Sequence, residues 1–246
     1  MNDSAELDAP QTWLDRQVHA RPELPYIAPF MTFLALMAVG QFFEGPQHLP
    51  WLYTLRTVGA LVVSLMFWKY FPPLGKPHIL LSIVLAVVST AMWIYVHKWF
   101  AAQSWYPKTQ IMGRDAEPKD YYNCYEQLGR GWALWLFLIV RIGGASIVVP
   151  IVEEIFWRGF VLRVLIDSRR FETVPLGMYT LRSFIICSVA SALEHPMWEV
   201  GILCWLFWNL LFYWKKSLLF MMVMHGLTNF MLYTYVVWKE DWVFWS

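Results

Sequence analysis

Charge is scarce in this sequence. Of 246 residues only 15% are Asp, Glu, Lys or Arg, and 58% are hydrophobic, whereas soluble domains carry about 25% charged residues. That scarcity excludes an ordinary water-facing surface. The formal net charge is +1, and the basic residues fall in short clusters between apolar runs, so there is no electrostatic field for DNA or RNA and no nucleic-acid partner is expected. Cysteine is equally rare. The three cysteines are Cys124 in a predicted loop and Cys187 and Cys204 inside apolar segments, which matches neither a disulfide framework nor a zinc-knuckle spacing. The first 26 residues are polar, net acidic and interrupted by Pro10, Pro22 and Pro25. They lack the basic start and small-residue cleavage site of a secretory signal, so the first apolar run is expected to stay uncleaved. An internal repeat is also missing, which removes support for an inverted-repeat transporter.

Long apolar runs are plentiful. A membrane-crossing helix needs about 20 mostly apolar residues, and that window predicts spans over 27–43, 51–70, 79–100, 131–152, 179–195, 200–214 and 218–238. A further helix over 153–166 either extends the fourth span past Pro150 or counts separately. Because the runs are continuous rather than alternating, they predict helices rather than barrel strands. The expected fold is an all-α polytopic integral membrane protein with seven or eight transmembrane helices. Its parts are a polar tail over 1–26, N-terminal helices and a long polar loop over 27–130, a candidate catalytic unit over 131–238 and a C-terminal tail over 239–246. Trp51, Trp68, Trp99, Trp105, Trp214 and Trp238 lie near span ends, where indole suits the headgroup region. With seven crossings and the N-terminus in the cytoplasm, the inner face receives Arg16, Arg21, Lys69, Lys76, Arg169, Arg170, Lys215 and Lys216. The exception to that pattern is the loop over 101–130, which carries Lys108, Arg114, Lys119 and Arg130 on the outside.

Three polar groupings interrupt the apolar background. In "PIVEEIFWRGF", Glu154 and Arg158 stand four apart in the favourable carboxylate-first order and are expected to pair. Glu153, about 100° round the helix, is left free to face a cavity and serve as a general base. The alternative is a structural ion pair at a helix end. In the fifth span Ser188, Ser191 and His195 recur on one helical face, with Pro196 following directly, so His195 closes its helix either as a site residue or as a cap. In "MHGLTNF", His225 and Asn229 share a face, and Gly226 allows close packing beside them. Imidazole and carboxamide both donate hydrogen bonds and suit an oxyanion, while polar bonding between helices is the plainer alternative. At about 1.5 Å per residue, Glu154, His195 and Asn229 lie roughly 18, 24 and 20 Å from the basic face, depths that allow them to meet. Arg56 and Arg141 also lie within spans and belong to none of these groupings; Glu44, a substrate carboxylate or a lipid headgroup are their candidate partners.

The ordered set Glu153-Glu154-x-x-x-Arg158, His195 and His225-x-x-x-Asn229 resembles the CAAX-protease and bacteriocin-processing family, also called the abortive-infection family. These are polytopic intramembrane endopeptidases that include the type II enzymes acting on prenylated proteins. The resemblance covers about residues 131–238. Ser191 departs from it, standing where the family usually has phenylalanine. The extra N-terminal third resembles the CAAX-protease-related proteins found with bacterial exosortase systems. The resemblance implies a bacterial cytoplasmic-membrane peptidase acting on a membrane-anchored or prenylated peptide or protein, with association with an exosortase system as a further implication. It makes Glu153 the base that activates water, His195 its partner, His225 and Asn229 the oxyanion donors, and Glu154 with Arg158 the organising pair. No cofactor is implied.

Two other readings compete. A metal-dependent protease could use two histidines and Glu153 as ligands for zinc, with an open position for water, although H-E-x-x-H is absent. A non-catalytic membrane scaffold, carrier or immunity protein would use the same polar groups to bind a partner.

Overall fold

The computed structural model describes residues 12–40, 42–43, 46–106 and 122–245. Among these residues the chain is helix and connection, with no strand. The helices are α1 (Trp13–Ala20), α2 (Leu24–Gly40), α3 (Leu49–Met66), α4 (Ile79–Ala101), α5 (Cys124–Leu128), α6 (Trp132–Val164), α7 (Leu181–Ala192), α8 (Trp198–Lys215) and α9 (Leu218–Lys239). Each of the seven predicted spans corresponds to a helix, and the segment over 153–166 continues the fourth, so α6 runs 33 residues through Pro150. Four helices, α3, α4, α6 and α9, are long and apolar enough to cross a bilayer. A fifth candidate arises if α1 and α2, bent by 98° at their junction, form one broken span. α7 is apolar but has only 12 residues.

Burial runs opposite to that of a water-soluble bundle. On α4, Leu80, Val84, Val87 and Val88 face outward while Ser82, Ser89 and Thr90 are buried. A continuous apolar exterior of this kind is stable against lipid, and the chain is an all-α integral membrane protein. The six tryptophans expected at span ends are all exposed.

Contacts fix which connections share an end. Asp15 pairs with Lys69 at 2.7 Å, Ser217 donates to the Leu74 and Lys76 carbonyls, and Gly177 lies against Lys216. α1, the α3–α4 and α6–α7 connections and the α8–α9 turn therefore sit together. Arg163 gathers this end. Its guanidinium donates to the carbonyls of Gly159 (2.9 Å), Glu172 (2.6 Å) and Val174 (2.8 Å). In the same connection the main-chain N–H groups of Arg169 and Arg170 donate to Asp167 and hold its carboxyl below the usual range. At the opposite end Lys98 meets Asp241, and Tyr125 donates to the Val237 carbonyl.

Both terminal segments are more structured than their composition suggests. Thr12 opens α1 with a capping box completed by Asp15, and α1 with the start of α2 makes the rest of the described part of the polar tail expected over 1–26 helical except at 21–23. Past α9, a short turn over Trp242–Trp245 buries Phe244 and Trp245. Half of the polar loop expected over 101–130, residues 107–121 with Lys108, Arg114 and Lys119, lies outside the described residues, as do Glu44 and Gly45.

The passage of α6 through Pro150 shapes the centre. Proline has no N–H to donate to the carbonyl four residues earlier, and its ring crowds that carbonyl. The residue four earlier is Ser146, and Gly144–Val148 is wound as a wider π turn that relieves the crowding. The Ser146 carbonyl is turned toward α9, where Gly226 passes so closely that a Cβ there would lie 2.2 Å from the oxygen. Only glycine permits this approach. Gly226→Ala is therefore expected to destabilise the protein by about 1–3 kcal/mol, read as thermal unfolding in detergent. Gly143→Ala, where a Cβ meets nothing within 4 Å, is the matched control and should stay within about 0.5 kcal/mol of the native protein.

Candidate functional site

Glu154 and Arg158 are fully buried. One oxygen of Glu154 pairs with Arg158 Nη1, and the other accepts a hydrogen bond from His225 Nδ1 at 3.0 Å. The pairing expected four residues apart is present, and the carboxylate also clamps α6 to α9. Arg158 lies 4.3 Å over the ring of Trp205, bringing α8 into the same contact. The His225 ring packs 4.8 Å from Trp208, whose indole N–H donates to Ser89 on α4. A second π turn, Glu154–Val161, carries the ion pair. Wider turns let carbonyls find partners off the helix. The Trp157 carbonyl accepts from Cys187 Sγ on α7, and in the first π turn the Ala145 carbonyl accepts from Asn229 Nδ2 on α9 at 2.8 Å; the Gly159 carbonyl is taken by the side chain of Arg163, one turn on in α6 itself.

Glu153 points elsewhere. It is buried, with 8% of its surface exposed, and its Oε2 has no hydrogen-bond partner among the described residues. It lines a cavity of about 370 Å³ together with Glu194, His195, His225 and Asn229. Asn229 spends one N–H on Ala145 and retains the other. His195 rests edge-on against Trp93 at 5.4 Å. Glu153, His195, His225 and Asn229 thus border one chamber, and Glu154 and Arg158 form its buried support.

The structure corrects the stripe predicted on the fifth span. α7 ends at Ala192, and His195 sits in the turn beyond it, with its main-chain N–H on the Ala192 carbonyl. His195 has therefore left the helical face that carries Ser188 and Ser191. Those serines are fully buried. Ser188 accepts from Asn209 Nδ2 at 2.9 Å, and Ser191 donates to the Cys187 carbonyl at 2.6 Å, so they bind α7 to α8 and to itself and do not line the cavity.

Sequence reasoning missed Glu194, which lines the cavity beside His195 and accepts from the Trp157 indole at 3.1 Å. Its signal was an acid at the end of an apolar run directly before the motif histidine. Arg56 and Arg141, left outside the groupings, also line this cavity. A larger cavity of about 1210 Å³ between α6 and α9 is apolar, with charge only at Arg130 and Glu240. The close contact of Ser146 and Gly226 lines it. Among the described residues no three His, Cys, Asp or Glu side chains group to hold a metal ion.

Residues 131–231 match the family model described as type II CAAX prenyl endopeptidase Rce1-like. No curated protein and no solved structure matches the chain.

Removing one partner of a buried ion pair costs about 3–5 kcal/mol, because the other charge is left without compensation. Arg158→Met is expected to lower stability by that amount in a detergent melt. Combining it with Glu154→Gln should recover more than half of the loss, since no unpaired charge then remains buried.

Proposed function

Residues 131–231 belong to the CAAX-protease family of intramembrane endopeptidases, and from that premise we propose that the chain hydrolyses a peptide bond with water activated by Glu153. The observation that carries the mechanism is the unpartnered Glu153 oxygen in a cavity shared with two imidazoles and a carboxamide. Water held between Glu153 and His195 gives a proton to the carboxylate as its oxygen bonds to the substrate carbonyl carbon. The oxyanion so formed accepts from the free N–H of Asn229 and from His225 Nε2–H. The Nδ1–H of His225 is held by Glu154; with both ring nitrogens donating, the ring acts as the imidazolium, which Glu154 orients and whose charge it offsets. Arg158 holds the other Glu154 oxygen and fixes the carboxylate for that task. Collapse of the tetrahedral intermediate breaks the C–N bond, and the proton held by Glu153 passes to the departing amine. The reaction needs neither a covalent intermediate nor a cofactor.

The substrate class that suits a cavity among helices is a membrane-anchored or lipidated peptide or protein. The chain sits in a bacterial cytoplasmic membrane with its N-terminus inside. The clustering of Arg16, Lys69, Lys76, Arg169, Arg170, Lys215 and Lys216 at one end supports that orientation.

Purified protein in liposomes, supplied with a panel of lipidated and membrane-anchored peptides and read by mass spectrometry, tests the proposal. Glu153→Gln is expected to reduce cleavage by about 10²–10⁴-fold, and Asn229→Ala by about 10²–10³-fold, with both variants folded. Chelation should leave the native rate unchanged. Cleavage that persists in Glu153→Gln would remove the assigned base, and loss on chelation that zinc restores would replace the scheme with a metal-dependent one.

A further inference from the structure

The chamber around Glu153 is placed unevenly along the bundle. It begins at mid-depth, where Phe30, Trp208 and His225 line it, and extends away from the basic end. Met37 near the end of α2, Tyr53 near the start of α3 and Trp93 in the second half of α4 form its farther wall, with Met197 in the α7–α8 turn and Phe244 beyond α9. No lining residue comes from α1, from the α3–α4 or α6–α7 connection, or from the α8–α9 turn, which are the elements that sit together at the basic end.

Toward that end the bundle is closed. Tyr26, Leu162, Phe171, Leu218 and Phe220 are buried there in one apolar core, and Tyr26 and Phe160 set their rings edge-on against Phe171 at 5.5 and 4.9 Å. The fully buried Glu154 and Arg158 lie between this core and the chamber. Hydrolysis consumes water, and an apolar core without free polar groups gives water no path. In the other direction burial relaxes: Glu194, His195 and Pro196 are partly exposed, and Met37 is exposed. Water and peptide therefore reach Glu153 from the end opposite the basic one.

Lysine and arginine concentrate on the cytoplasmic side of a membrane protein. The basic end gathers Arg16, Lys69, Lys76, Arg169, Arg170, Lys215 and Lys216, whereas the described residues at the opposite end supply Lys98, Arg130 and Lys239. The sequence adds Lys108, Arg114 and Lys119 between α4 and α5, and the excess still lies with the basic end.

We propose that the chamber opens to the extracytoplasmic side, and that the substrate is a segment of a membrane-anchored protein already carried across the bilayer. The substrate class rests on the endopeptidase reading; the direction of opening does not. A translocation step must then precede cleavage, and a protein held to the cytoplasmic leaflet by a lipid presents its peptide on the wrong side.

Single cysteines added to the full-length chain test the direction. Ser104→Cys reports the end opposite the basic one and Ser168→Cys the α6–α7 connection, both positions being exposed. Thr228→Cys reports the chamber wall, with Leu232→Cys on the same wall as a second reporter. Cys124, Cys187 and Cys204 are buried, so the native chain is the blank. Spheroplasts are treated with a small membrane-impermeant methanethiosulfonate before and after permeabilisation. Ser104→Cys and the chamber cysteines are expected to label in intact spheroplasts, and Ser168→Cys only after permeabilisation. Chamber cysteines that label only together with Ser168→Cys, or in neither state, overturn the proposal, as does labelling of Ser168→Cys in intact spheroplasts. Palmitoyl-anchored peptides are then added to the outer face of spheroplasts or to the cytoplasmic face of inverted vesicles, with Glu153→Gln as the control. Cleavage is expected at the outer face alone. Cleavage at the cytoplasmic face overturns the proposal and keeps the endopeptidase reading. Outward labelling with cleavage at neither face sinks the endopeptidase reading and leaves the direction of opening standing.

Discussion

The carboxylate of Glu154 is the group on which the rest of the centre depends. It is withdrawn from solvent, where an unpaired charge would cost several kcal/mol, and both its oxygens are used, one by Arg158 on its own helix and one by His225 on α9. This double use sets the register of α6 against α9. Once Glu154 is turned into that contact, Glu153 must project about 100° away, into the chamber. Asn229, one turn beyond His225, follows it to the same chamber wall.

Such a contact requires the two helices to be unusually close, and backbone chemistry supplies the closeness. Pro150 frees the Ser146 carbonyl, the π turn absorbs the proline ring, and Gly226 presents no side chain where that carbonyl points. Asn229 then finds the Ala145 carbonyl in the same wide turn. The irregular backbone of α6 is therefore part of how the site is assembled. Polar side chains from α7, α9 and α6 itself take up carbonyls of its wide turns, as a lipid surrounding demands.

Much of this was legible in the chain. Apolar runs locate every helix that packs around the chamber, and the four-residue spacings pair Glu154 with Arg158 and put His225 and Asn229 on one face. What periodicity could not reveal was where a helix widens or stops. The π turns leave the apolar pattern almost unchanged, so neither the accepting carbonyl of Ala145 nor the continuity of α6 through Pro150 was decided by sequence. The early end of α7 moved His195 off the serine face, and no spacing rule encodes that. Arg56 and Arg141 were visible as costly charges within spans, but their common chamber depends on how the α2–α3 hairpin packs on α6, which is tertiary information. Glu194 was hidden for the same reason.

The resulting chamber has an acidic and imidazole wall facing a cationic one, with aromatic side chains between them. Its chemistry depends on His225 being held by Glu154. The most direct measurement is ¹⁵N NMR of histidine-labelled protein, with the His225 ring nitrogens assigned by substitution. The expected result is a protonated, strongly hydrogen-bonded Nδ1 whose resonance moves in Glu154→Gln. An unprotonated Nδ1, or a spectrum indifferent to that substitution, would contradict the clamp between α6 and α9.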